Sequence, residues 1–168
     1  MWSLLSTLLL ATSTPVVAPV SLPSWAQTYW TQHALNTRFR LTAYAKPGIL
    51  QADFNGDGQS DVAVLVTRKT TGSHGILILH QGLGVHYLVG AGSAQQPDLL
   101  HSDYAWATQC QVYTRPTAVE VVFKADGEVL GDRTIRLRRP AITVWQEDEE
   151  GGLIYWDGKR YRWIHQSC

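Results

Sequence analysis

The chain has no surplus of charge, few cysteines and no long apolar run, and each shortage removes a class of protein. Its 14 basic and 14 acidic side chains cancel. Nucleic-acid binding draws on a basic excess to neutralise phosphates, so nucleic acid is not an expected partner. Cys110 and Cys168 are the whole cysteine complement, and no His–Cys cluster has zinc spacing. The longest apolar stretches are too short to cross a bilayer as a helix. No Gly-x-Ser-x-Gly elbow announces a serine hydrolase. Glu120, Glu128 and Glu147 carry no spacing that singles out a pair for glycoside hydrolysis.

What remains is apolar and aromatic. Of 168 residues, 45% are hydrophobic and 17% charged, enough to build one cored domain. Seven Trp and seven Tyr stand beside three Phe and one Met, a bias that suits strands and interfaces. Leu4, Leu5, Leu8, Leu9, Leu10 and Ala11 form a short apolar run, followed by Pro15, Pro19 and Pro23. This pattern predicts an export signal over residues 1–26 and a single domain over 27–168, periplasmic or secreted. Ser24-Trp25-Ala26 is the better cleavage site, because Pro19 would hinder a cut after Ala18. No membrane span is expected once the signal is removed. In an exported chain two cysteines predict a Cys110–Cys168 bridge. It would close a loop of roughly 60 residues and contribute about 4 kcal/mol.

Residues 27–37 place Tyr29, Trp30 and Ala34 near helical spacing and predict one short helix. Almost everything after reads as strand: the alternating Phe39, Leu41 and Ala43, the unbroken run 62–67, then 75–79, 85–89, 119–123 and 142–145. Residues 90–111 read as a long polar loop. Asp157-Gly158 between two aromatic runs predicts a two-residue hairpin, with Tyr161 and Trp163 on one face and Arg160 and Arg162 on the other. The expected fold class is therefore mainly β, a small antiparallel domain with a short N-terminal helix.

The segment Asp53-Phe54-Asn55-Gly56-Asp57-Gly58-Gln59-Ser60-Asp61 is the most specific motif. Asp53, Asn55 and Asp57 put oxygen side chains at alternate positions. Gly58 frees the backbone to turn, and Asp61 supplies a carboxylate at the ninth position. Hard cations such as Ca²⁺ need six to eight oxygens at short range. An EF-hand would require Glu at the twelfth position, where this chain has Val64, and a following helix, where it has a β-branched run. The alternative is an ion-free turn, since Asp-Gly and Asn-Gly cap turns through their own side chains.

The pattern Asp-x-Asn-x-Asp-Gly-x-x-Asp followed by a strand resembles the FG-GAP (VCBS) repeat, the calcium loop of integrin α-subunit propellers. The resemblance spans about residues 47–90 and implies one blade-like unit. It also implies Ca²⁺ held by Asp53, Asn55, Asp57, the Gln59 carbonyl and Asp61. A single copy cannot close a propeller. The loop together with Tyr-Trp-Asp-Gly-Lys near the C-terminus also resembles small exported bacterial proteins of uncharacterised function.

Other constellations read as structural. His80 and His86 flank a turn, and Arg133, Arg136, Arg138 and Arg139 form a basic run. Glu147 to Glu150 reads as a solvated acidic turn. Trp156, Arg160 and Arg162 of the terminal hairpin form a possible partner surface for a protein or glycan. The expected function is an exported, calcium-binding, non-catalytic binding module. A small secreted hydrolase or an inhibitor of a secreted enzyme are the alternatives.

Overall fold

The structure, a computed structural model, describes residues 20–93, 101–147 and 151–166. It is mainly β with antiparallel sheets and two short helices. Helices α1 (Ser24–Gln32) and α2 (Leu35–Arg38) precede strands β1 (Phe39–Leu41), β2 (Ile49–Ala52), β3 (Asp61–Arg68), β4 (His74–His80) and β5 (Val85–Gly90). Then follow β6 (Gln109–Tyr113), β7 (Thr117–Phe123), β8 (Val129–Arg136), β9 (Ala141–Trp145), β10 (Gly151–Trp156) and β11 (Tyr161–Gln166).

Side-chain alternation sorts these elements into layers. The first sheet runs β1-β3-β4-β5, and β2 pairs with β3 as well. Val62, Val64, Val66, Leu77 and Leu79 face the helices, where they meet Ala26, Tyr29, Trp30 and Leu35. Ala63, Leu65, Ile76, Ile78 and Val89 face the opposite way. They pack on Ile142, Val144, Ile154, Trp156 and Trp163 of the second sheet, ordered β11-β10-β9-β6. The far side of that second sheet buries Leu153, Tyr155 and Ile164 against Ala118 and Leu137, beside the β7–β8 hairpin. The unbroken apolar run of β3 is thus a strand with both faces covered, as its composition predicts.

Three expectations change. The predicted single helix over 27–37 is two helices, parted where Ala34 takes a left-handed φ of 49°. Thr28 and Thr31 are tolerated in α1 because their hydroxyls donate to the carbonyls of Ser24 and Gln27, four residues back. The loop expected over 90–111 ends in strand: β6 starts at Gln109 and pairs with β9. The terminal hairpin turns through four residues, not two. Trp156 pairs with Tyr161, and the Asp157 carboxylate accepts from the amides of Lys159 and Arg160, which draws both into the turn.

Helix α1 also straddles the Ala26–Gln27 bond, where the sequence places signal cleavage. Ala26 is fully buried, and Leu22 packs in the same helix-facing core. Removing Leu22, Trp25 and Ala26 opens that core and deletes the first turn of α1. Truncating one buried leucine alone costs about 2–5 kcal/mol. A chain beginning at Gln27 should therefore melt roughly 8 °C or more below one beginning at Val20. Equal melting temperatures by circular dichroism would show that this segment adds nothing to the fold.

Candidate functional site

The acidic segment connects β2 to β3 and is anchored in the core at both ends. Phe54 is buried between the two sheets, and Asp61, the first residue of β3, is fully buried. Gly56 and Gly58 adopt φ of 80° and 87°, a region a side chain disfavours, so the loop can fold back on itself.

The oxygen side chains are engaged by the loop's own backbone. Asp53 accepts from the amides of Gly56 (2.6 Å), Asp57 (3.0 Å) and Gly58 (2.9 Å). Asn55 Oδ1 accepts from the Asp57 amide at 2.8 Å, and its Nδ2 donates to Asp57 Oδ2 at 2.9 Å. Asp57 Oδ1 accepts from the Gln59 amide at 2.8 Å. That bond, then the one from Asn55, holds the Asp57 carboxyl below its ordinary range. Asp61 ties the loop to a second one. Its Oδ2 accepts from the Phe54 and Asn55 amides, and its Oδ1 from the Gln81 amide after β4. Burial nevertheless pushes this carboxyl up to about 6, although those three amides oppose the shift.

Beneath the loop lies an aromatic cluster that sequence reasoning did not identify. His80 Nε2 and the Tyr161 hydroxyl are 2.7 Å apart, and both side chains are buried. Tyr87 and Trp156 pack on His80 at ring-centre distances of 5.0 and 5.2 Å. Burial lowers the His80 pKa, against the pull of the Asp57 and Asp53 charges. Burial, then the Asp61 charge, holds the Tyr161 phenol far above its usual value. Arg139 lies along Gly56, so close that a Cβ there would sit 2.5 Å from its Nε, and its Nη1 reaches the Trp156 carbonyl at 3.4 Å. No local pattern marks either contact in the sequence, because both join segments far apart in the chain.

Four of the expected ligands, Asp53, Asn55, Asp57 and Asp61, are therefore joined in one hydrogen-bonded unit. Gln59 joins it through its amide, and its side chain lies against Gly82 of the β4–β5 turn. The donor set suits a hard cation: three carboxylates and an amide oxygen, with no ion pair to any of the three among the described residues. Their oxygens face backbone amides in this structure. Among the described residues no group of three or more His, Cys, Asp or Glu side chains is arranged to hold a metal ion.

The other predicted positions scatter. Trp156 is buried between the sheets and packs on His80, so it is no part of an exposed partner surface. Arg162 is exposed and pairs with Tyr155, which points away from Trp156 by the period of two along β10. Arg160 is exposed in the hairpin turn. His80 and His86 point to opposite faces, since it is Leu79 that pairs with His86. Of the basic run, Arg133 is paired with Glu120. Cys110 is buried on β6, and its thiol donates to the Pro47 carbonyl at 3.0 Å. Burial pushes that thiol up to about 12, so it stays protonated at neutral pH. Its expected partner Cys168 lies outside the described residues, as do the last three residues of the acidic turn at 147–150.

No protein-family model, curated protein or solved structure matches this chain.

Proposed function

We propose that the protein is an exported calcium-binding β domain that acts by binding a partner rather than by catalysis, with calcium stabilising the loop at 53–61. Asp53, Asn55, Asp57, Asp61 and the Gln59 carbonyl would hold the ion. The observation that carries this reading is the concentration of three carboxylates in nine residues, none of them in an ion pair among the described residues. Like charges that close repel, and a divalent cation relieves that repulsion. The ion's part is structural, because the loop's anchors, Phe54 and Asp61, are core residues, and an ion bound there ties β2 to β3. Export and an envelope protein or glycan partner are parts of the same proposal.

Calcium modules of extracellular proteins bind at about 10⁻⁴–10⁻³ M. At 10 mM Ca²⁺ mass action then stabilises the fold by about 1.4–2.7 kcal/mol, a rise of roughly 3–10 °C in melting temperature over chelated protein. Asp57→Ala should lower the chelated melting temperature slightly, since it frees the Gln59 amide, and should abolish most of the calcium increment. The same midpoint with Ca²⁺ and with chelator, joined to no heat of binding by calorimetry, would discard the proposal.

The calcium increment should also depend on pH. Asp61 binds metal as a carboxylate, and its folded-state pKa is raised to about 6 from 3.8. In chelated protein this shift contributes stability that is complete below 3.8 and is lost as pH rises through about 6. His80, lowered from 6.5, contributes the opposite way: its share is present above 6.5 and is lost as pH falls through its depressed folded-state value. The two contributions have opposite signs without calcium. The difference between calcium-loaded and chelated melting temperatures should therefore grow from about pH 5 to about pH 7. An increment that is flat over this range would remove Asp61 from the ligand set.

A further inference from the structure

A second polar site lies on the helix-facing side of the first sheet, and it is basic. A cavity of about 250 Å³ is walled by Arg38, Phe39, Arg68, Leu77, His86 and Leu88 among others. The Phe39 ring carries two guanidinium groups, Arg38 at 5.5 Å and Arg68 at 5.2 Å from its centre. Phe39 and Arg68 are cross-strand partners between β1 and β3, and Arg38 ends α2, so backbone pairing sets both arginines beside one ring.

Among the described residues neither arginine forms an ion pair, and no carboxylate lines the cavity. Among the described residues the Arg68 guanidinium bonds through its Nε, to the Ala91 carbonyl at 2.5 Å, which braces it and leaves its two terminal nitrogens for another acceptor. The third polar wall is His86, whose Nδ1 lies 2.9 Å from the Tyr29 hydroxyl. Burial, then Arg38, then His33 disfavour its charged form. Two like charges on one ring raise each other's energy, and a cavity lined by one sign of charge with apolar walls concentrates their field. Leu77 and Leu88 supply those walls.

We propose that this cavity binds a small oxyanion, a carboxylate or phosphate group, between Arg38 and Arg68. Planar guanidinium forks match the paired oxygens of both groups, and Phe39 holds the forks flat by cation–π contact. The site is independent of the calcium loop and involves none of its residues.

Titration calorimetry of the intact protein with inorganic phosphate and with acetate, at constant ionic strength in sodium chloride, after calcium has been stripped with chelator and the chelator dialysed away, tests this directly. Saturable binding of at least one anion is expected, and the stronger one identifies the group. Arg38→Ala should weaken it about tenfold or more, since a charge-assisted pair is lost. Arg68→Lys, which keeps the charge and removes the fork, should also weaken it. Arg40→Ala removes the same charge from an exposed position on β1, away from the cavity walls, and should change affinity less than twofold. Arg38 is exposed, so its variant should fold, which circular dichroism confirms. Absence of saturable binding by both anions overturns the proposal. So does an equal loss in the Arg38 and Arg40 variants, which would mean that only overall charge matters. Because the protein is calcium-free throughout, failure here leaves the calcium reading untouched.

Discussion

The fold hangs on a strand that must be apolar on both faces. Val62, Val64 and Val66 are buried under the helices, and Ala63 and Leu65 under the second sheet. Three strands besides, β1, β2 and β4, take their register from it. A charge in the middle of β3 would be desolvated on either side without a partner, at a cost of several kcal/mol. The strand accordingly carries its charges at its two ends, Asp61 and Arg68. Each is tied there by backbone: Asp61 by three amides, Arg68 by the Ala91 carbonyl. The acidic loop and the basic cavity are thus two consequences of one constraint.

Asp61 shows how close that constraint runs to its limit. Three amide donors favour the carboxylate, yet burial outweighs them and raises its pKa. The amides come from two separate loops, at 54–55 and at 81, so the charge is also a fastener between them. An ion-free turn of Asp-Gly type would need a capping side chain or two. This loop has three carboxylates and an Asn, each accepting backbone amides, in a space where their charges add. Amide dipoles offset part of that repulsion; a bound cation would offset the rest.

Much of the strand content was legible in the sequence, and the layering was not. The 62–67 run announces a doubly buried strand because β-branched residues fill consecutive positions. The terminal hairpin is legible from its aromatic alternation, but its loop is not two residues long, because Asp157 captures two successive amides. Trp156 read as a surface residue because burial depends on which face the second sheet turns inward, and no local pattern encodes that. The break at Ala34 has no sequence signal, since alanine rarely takes a left-handed conformation. In the site, the loop's oxygens were visible from spacing. The His80–Tyr161 pair and the Arg38–Phe39–Arg68 stack were not, because they join residues through strand pairing and sheet packing rather than through local spacing.

Zero net charge therefore hides a polarised molecule. Steering of a charged ligand by net charge vanishes when the charges sum to zero. Local fields are another matter. The ends of β3 stand roughly 20 Å apart at about 3.3 Å per residue. That separation exceeds the screening length of about 8 Å at physiological salt. A cation at the Asp61 end and an anion at the Arg68 end would hardly sense each other through solvent. Any coupling would have to pass through β3 itself, whose packed faces leave it little room to shift. The physical expectation is two independent sites on one rigid strand, each recognising the charge that the other repels.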